Sequence, residues 1–168
     1  MATTKPNGLP PGYVSPFKRV QMEERIDDAL ACVAILTNQS LADIKKLAFQ
    51  HGFSEHGPAW VNDPLIAKLL YQHGLVGSEY KQVDSLSAMP DVALVLANLN
   101  PADDISRHVV WHHVRGTAGQ AAFHYVIDPA SWIDSKHHVT TDFKHLKLEK
   151  PIYYIEVTQR PDLTRKSK

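Results

Sequence analysis

The stretch HVVWHHVRGTAGQAAFHYVID, residues 108–128, decides the fold. Two runs rich in β-branched and aromatic residues, His108 to Arg115 and Ala121 to Asp128, flank Gly116-Thr117-Ala118-Gly119-Gln120, whose two glycines supply a turn. That pattern predicts an antiparallel β-hairpin. Its loop is centred near Ala118, and folding the chain about that residue sets His108 opposite Asp128. Residues facing each other in this way have Cβ atoms roughly 4.5–5.5 Å apart. An imidazole and a carboxylate would then be neighbours at one end of the sheet. A carboxylate that fixes the tautomer of a histidine supplies two of the three parts of a nucleophilic triad. The same spacing also suits a polar pair at a sheet edge that has no chemistry to perform.

Outward from the hairpin, the second half of the chain continues as strands. Val92-Ala93-Leu94-Val95-Leu96-Ala97 is a short apolar run of the kind a buried strand needs. In Ile152 to Val157, Ile155 and Val157 fall on one face and Tyr154 on the other. The first half reads as helices. Ala29-Leu30-Ala31-Cys32-Val33-Ala34-Ile35-Leu36 is apolar all round, so this helix is buried on most sides. Either Asp27 or Asp28 can cap its start. Ser40-Leu41-Ala42-Asp43 opens a second helix with a capping-box pattern, running to about Gln50 with Gly52 as its stop. Asn62-Asp63-Pro64 opens a third, which ends near Gly74. Helices first and an antiparallel sheet second give an α+β domain.

The length, 168 residues, suits one domain that buries roughly two thirds of its unfolded surface. Residues 1–17, with four prolines and two glycines, are expected as an extended or disordered arm, 18–158 as the domain, and 159–168 as a basic flexible tail. The 18 basic and 18 acidic residues cancel, which removes the electrostatic reason to expect nucleic acid as a partner. No apolar run approaches a membrane span and the first residues lack a signal-peptide core, so a cytoplasmic protein is expected. With Cys32 the single cysteine, neither an intrachain disulfide nor a thiolate zinc site can form. Ten histidines make charge responsive between about pH 5 and 8. No phosphate-binding or dinucleotide fingerprint is present, and no cofactor is expected. Trp60, Trp111 and Trp132 read as core or groove-wall residues.

Several short segments together carry a resemblance. Gln21 precedes Asp27-Asp28-Ala29-Leu30-Ala31-Cys32-Val33-Ala34, and Ser40-Leu41-Ala42-Asp43-Ile44 follows. Met89-Pro90-Asp91-Val92 comes before His108-Val109-Val110-Trp111, then Tyr125-Val126-Ile127-Asp128-Pro129-Ala130 and Thr140-Thr141-Asp142-Phe143. Their order and spacing resemble C39-type peptidases, the double-glycine peptidases of papain-like fold. The resemblance spans about Gln21 to Val157. It implies a papain-like α+β fold with helices packed on the sheet. It also implies a glutamine that supplies an oxyanion donor, a cysteine that attacks, and a histidine base oriented by an aspartate. Carried over, Gln21 matches the glutamine, with one residue more than usual before the helix; His108 matches the base and Asp128 the orienter.

The nucleophile position falls on Asp28. A papain-like site needs a thiolate at a helix N-terminus, where the dipole and an imidazolium lower its pKa. A carboxylate attacking a peptide carbonyl would instead form an anhydride. The expectation is therefore a polar cluster of Asp28, His108 and Asp128 in a catalytically inactive domain that binds a peptide or protein in the old cleft. Cys32, one turn further along the same helix face, is the alternative nucleophile for an active peptidase or amidase. Buried between Ala31 and Val33, it would have a raised pKa. A metal-dependent hydrolase built on Asp28, His108 and Asp128 is a further alternative, since imidazole and carboxylate suit a divalent ion. His112, His113, His137 and His138 add to the histidine-rich half, and His108 and His112 share a strand face that His113 does not.

Overall fold

The run that is apolar all round forms α1 (Asp28–Thr37), with Ala31 to Ala34 wholly out of contact with solvent. The computed structural model describes residues 8–24, 27–54, 61–100, 105–148 and 150–161, with the backbone alone at 99, 100 and 105. α1 ends on Asn38, whose φ of 56° is left-handed, a conformation asparagine tolerates. In α2 (Leu41–Gln50) the Ser40 hydroxyl accepts the Asp43 N–H, and in α3 (Asp63–Tyr71) Asn62 accepts the Leu65 N–H. Gly52 and Gly74, just beyond these two helices, take φ of 90° and 83°. α2 and α3 thus begin and stop where the local sequence says.

Among the described residues six strands follow: β1 (Leu75–Val83), β2 (Val92–Asn100), β3 (Ile105–Val114), β4 (Phe123–Ile127), β5 (Val139–Thr140) and β6 (Ile152–Gln159). They form one sheet of order β1-β6-β2-β3-β4-β5, antiparallel at every pairing. The domain is α+β. One sheet face, with Leu94, Val110, Ile127, Ile155 and Val157, packs on α1, α2 and α3. The other, with Val95, Val109, Trp111, Val126 and Tyr154, is covered by Met89 and Leu146 from connecting segments. Side chains alternate across the sheet, so adjacent residues of β3 serve different layers. Among the described residues no helix is long and apolar enough to cross a membrane.

Three features differ from the sequence reading or extend it. β1 is an edge strand that the pattern after Gly74 did not announce. The part of the N-terminal arm within the described residues has no helix or strand, yet Leu9, Tyr13 and Phe17 pack against the core. There the Tyr125 hydroxyl meets Ser15 Oγ at 2.5 Å and the Tyr13 hydroxyl at 3.2 Å. Of the expected tail from residue 159, Gln159 ends β6 and Arg160 is held by the Gly74 and Tyr71 carbonyls; residues 162–168, like Trp60, lie outside the described residues.

Candidate functional site

Asp28 is the first residue of α1, and β3 runs beneath it. One oxygen, Asp28 Oδ2, accepts both the His108 backbone N–H (2.7 Å) and His108 Nδ1 (2.8 Å). Both residues are nearly buried, with 9% and 8% of their surface exposed. Burial alone would raise the Asp28 carboxyl, but its bonds to His108 and the ring's charge outweigh it and hold the group below the usual aspartate range. An ionised carboxylate can only accept, so the ring proton sits on Nδ1. Neither aspartate caps α1 with its side chain as expected. Asp27 instead accepts the Glu23 and Glu24 N–H groups and pairs with Lys45 Nζ at 3.0 Å.

When the ring is neutral that tautomer leaves a lone pair on Nε2, and the Tyr80 hydroxyl lies 2.6 Å from it. The three groups form one hydrogen-bonded line, carboxylate to imidazole to phenol. Tyr80 comes from β1, and a bulge aims it. Gly77 faces Val157 and Tyr80 faces Ile155, so three steps on β1 match two on β6. Uninterrupted alternation from Gly77 would turn Tyr80 away from the helices. Burial, aided by the charges of Asp63 and Asp28, pushes the phenol up to about 12, so it stays protonated. With 37% of its surface exposed, Tyr80 is the member of the line that reaches solvent. The sequence reading missed it because β1 itself was missed; two valines and an aromatic between Gly74 and Asp84-Ser85 were the available signal.

Asp128 is not part of this line, which corrects the expected Asp28–His108–Asp128 cluster. β3 and β4 pair as Val110 with Ile127 and His112 with Tyr125, and the loop closes on a Thr117–Gln120 bridge. The hairpin centre therefore falls between Ala118 and Gly119, half a residue beyond the expected point. His108 and Asp128 are not directly opposed, and the shift sends their side chains to different sheet faces. Asp128, wholly buried, takes a forked pair of bonds from Arg107, Nε to Oδ1 at 3.2 Å and Nη2 to Oδ2 at 2.6 Å. Its Oδ1 also accepts the Ala130 N–H. His145 Nε2 lies 3.3 Å from Oδ2 without hydrogen-bond alignment, and the His145 ring stacks on His137 at 4.2 Å. Asn98, left-handed at the β2 bulge, joins them by accepting from Arg107 and donating to the His145 and Leu146 carbonyls. This second cluster ties the far face of the sheet to the segment after β5.

Gln21 is exposed, and its Oε1 accepts from Arg19 at 3.3 Å. The bonds to Asp28 and His108 come from one another and from Tyr80, not from Gln21. The segment around it is nevertheless anchored beside the end of β4, since Arg19 donates to the Asp128 and Ala130 carbonyls and Met22 N–H to the Pro129 carbonyl. Cys32 has no exposed surface, and burial first, then the charges of Asp28 and Asp128, push its thiol well above the ordinary value. The proposed metal trio does not converge, because Asp128 is on the wrong face. Among the described residues no group of three or more His, Cys, Asp or Glu side chains is arranged to hold a metal. His112 bonds the Tyr125 hydroxyl at 2.9 Å on the helix side, while His113 faces His124. A groove of about 570 Å³ between Phe17, Leu36, Leu75, Val92 and Val157 opens at the far end of α1 and includes none of Asp28, His108 or Tyr80. No family model and no curated protein matches the chain.

Proposed function

We propose that this chain is a relative of C39-type peptidases, inactive as a peptidase, that binds a peptide or protein at the degenerate site around Asp28, His108 and Tyr80. One observation carries the reading. The position where the resemblance requires a sulfur nucleophile is held by Asp28, whose Oδ2 takes two bonds from His108. A carboxylate so engaged holds the imidazole in place, and its attack on an amide would have to form an anhydride, a higher-energy acyl compound than the amide itself. The buried, unionised thiol of Cys32 counts against the active cysteine hydrolase, and the separation of Asp128 from His108 against the metal-dependent one. The exposed Tyr80 ring beside His108 is the kind of aromatic anchor that peptide-binding sites use.

The test pairs binding with turnover. Peptides from an unbiased library should be retained by the purified chain and recovered intact. Cleavage that disappears in His108→Ala would overturn the inactive reading. As a companion, Asp28→Cys should gain alkylation by iodoacetamide at neutral pH, because a thiol at a helix N-terminus beside an imidazole ionises readily.

A further inference from the structure

We infer that Tyr80 is a base-activated acyl acceptor, served by His108 and Asp28, for uncharged activated esters or thioesters. The inference goes beyond peptide binding and rests on the line itself. Asp28 Oδ2 fixes the Nδ1–H tautomer at 2.8 Å, so Nε2 faces the Tyr80 oxygen at 2.6 Å with its lone pair. A hydroxyl bonded to a base that is itself oriented by a third group is the general form of an activated nucleophile. Here Asp28 and His108 are nearly buried while Tyr80 keeps 37% of its surface exposed, so a substrate would approach from the tyrosine side.

In the reaction the Tyr80 oxygen attacks the acyl carbon while its proton passes to His108 Nε2. The leaving group departs with the electron pair of its bond and takes that proton from His108. An aryl ester of Tyr80 results; water then gives a proton to the same base as its oxygen attacks the acyl carbon, and the Tyr80 oxygen leaves with the bond's electron pair and takes that proton, returning the phenol and a carboxylic acid. The phenol's high affinity for its proton makes transfer to His108 part of the step, since free phenolate is scarce. An aryl ester is itself a reactive ester, so only activated donors can form it. A peptide bond, with its poor leaving group, cannot. The carboxylates of Asp28 and Asp63 act on Tyr80, so phosphoryl donors, which are anionic, are repelled.

The probe is p-nitrophenyl acetate on the full chain, with p-nitrophenolate release followed by absorbance and the acetyl group mapped by peptide mass spectrometry. Tyr71 is the internal control, being more exposed than Tyr80 (47% against 37%) and stacked under Arg160, not bonded to an imidazole. Tyr80 should be acetylated on the order of a hundredfold faster than Tyr71, the usual reach of general-base assistance. Tyr80→Phe, which keeps the ring and its packing, should lose the burst. Acetylation of Tyr71 at a comparable rate, label confined to lysines, or an unchanged burst in Tyr80→Phe would overturn the inference. Because His108 variants can disturb the fold, the wild-type pH profile supplies the second readout. Assistance by the ring predicts a rate that levels off once the imidazole is neutral. A rate proportional to hydroxide throughout would mean simple phenolate chemistry and overturn it equally.

Discussion

A single carboxylate oxygen that takes two hydrogen bonds from one residue is costly to lose, and Asp28 is such a group. Removing one partner of a buried, hydrogen-bonded pair typically costs about 3–5 kcal/mol, so Asp28→Ala should lose that much in urea denaturation at pH 7. Asp28→Asn keeps an acceptor for the backbone N–H and should lose less, about 1–3 kcal/mol. Since the folded carboxyl titrates below its unfolded value, its contribution is complete above about pH 4 and fades as pH falls through the folded value. The stability gap between wild type and Asp28→Asn should therefore close on acidification below about pH 4. A gap that stays constant down to pH 2 would show that the charge is not what the pair contributes. The match of Asp28 with His108 was legible because both lie within recognisable motifs. The partner on the other ring nitrogen was not, because Tyr80 sits in a segment with no motif of its own.

Among the elements, the helices were the most legible, because their boundaries are set by local chemistry: a serine and an asparagine that accept amide protons at the starts, and glycines past the ends. Ser40→Ala removes the Asp43 N–H acceptor and should cost roughly 1 kcal/mol, read as a lowered thermal midpoint with no change in α2 content of the folded state. The hairpin was legible as a hairpin but not in register. Two glycines in a five-residue loop fix that the chain turns, while the Thr117–Gln120 bridge decides where. Half a residue in the centre of the turn is enough to separate His108 from Asp128. β1 was illegible for a similar reason. Its bulge interrupts the period-two alternation between Gly77 and Tyr80, so no continuous pattern marks it as a strand.

For the molecule as a whole, burial sets how it answers to acid and to thiol reagents. His112, His124, His138 and His145 are each held below the ordinary histidine value, primarily by burial. Each binds its proton less readily folded than unfolded. Their contribution is complete above about pH 6.5 and is lost as pH falls through the depressed folded values. Denaturation midpoints should fall between pH 7 and pH 5, a window distinct from that of Asp28. Cys32, closed inside the core, should react with a thiol reagent such as DTNB only as fast as the fold opens. Labelling should accelerate with urea in step with unfolding, and rapid labelling of the native state would reinstate the thiol as a candidate nucleophile. The extra residue in β1 also bears on how molecules meet one another. Deleting Glu79 would straighten the strand yet leave Tyr80 across from Ile155, so the phenol would keep its place. What would change is the outer border of the sheet, which would become flat and regular and free to zip onto a neighbour. A variant with Tyr80 still in place but prone to precipitate would reveal the kink as a guard of solubility.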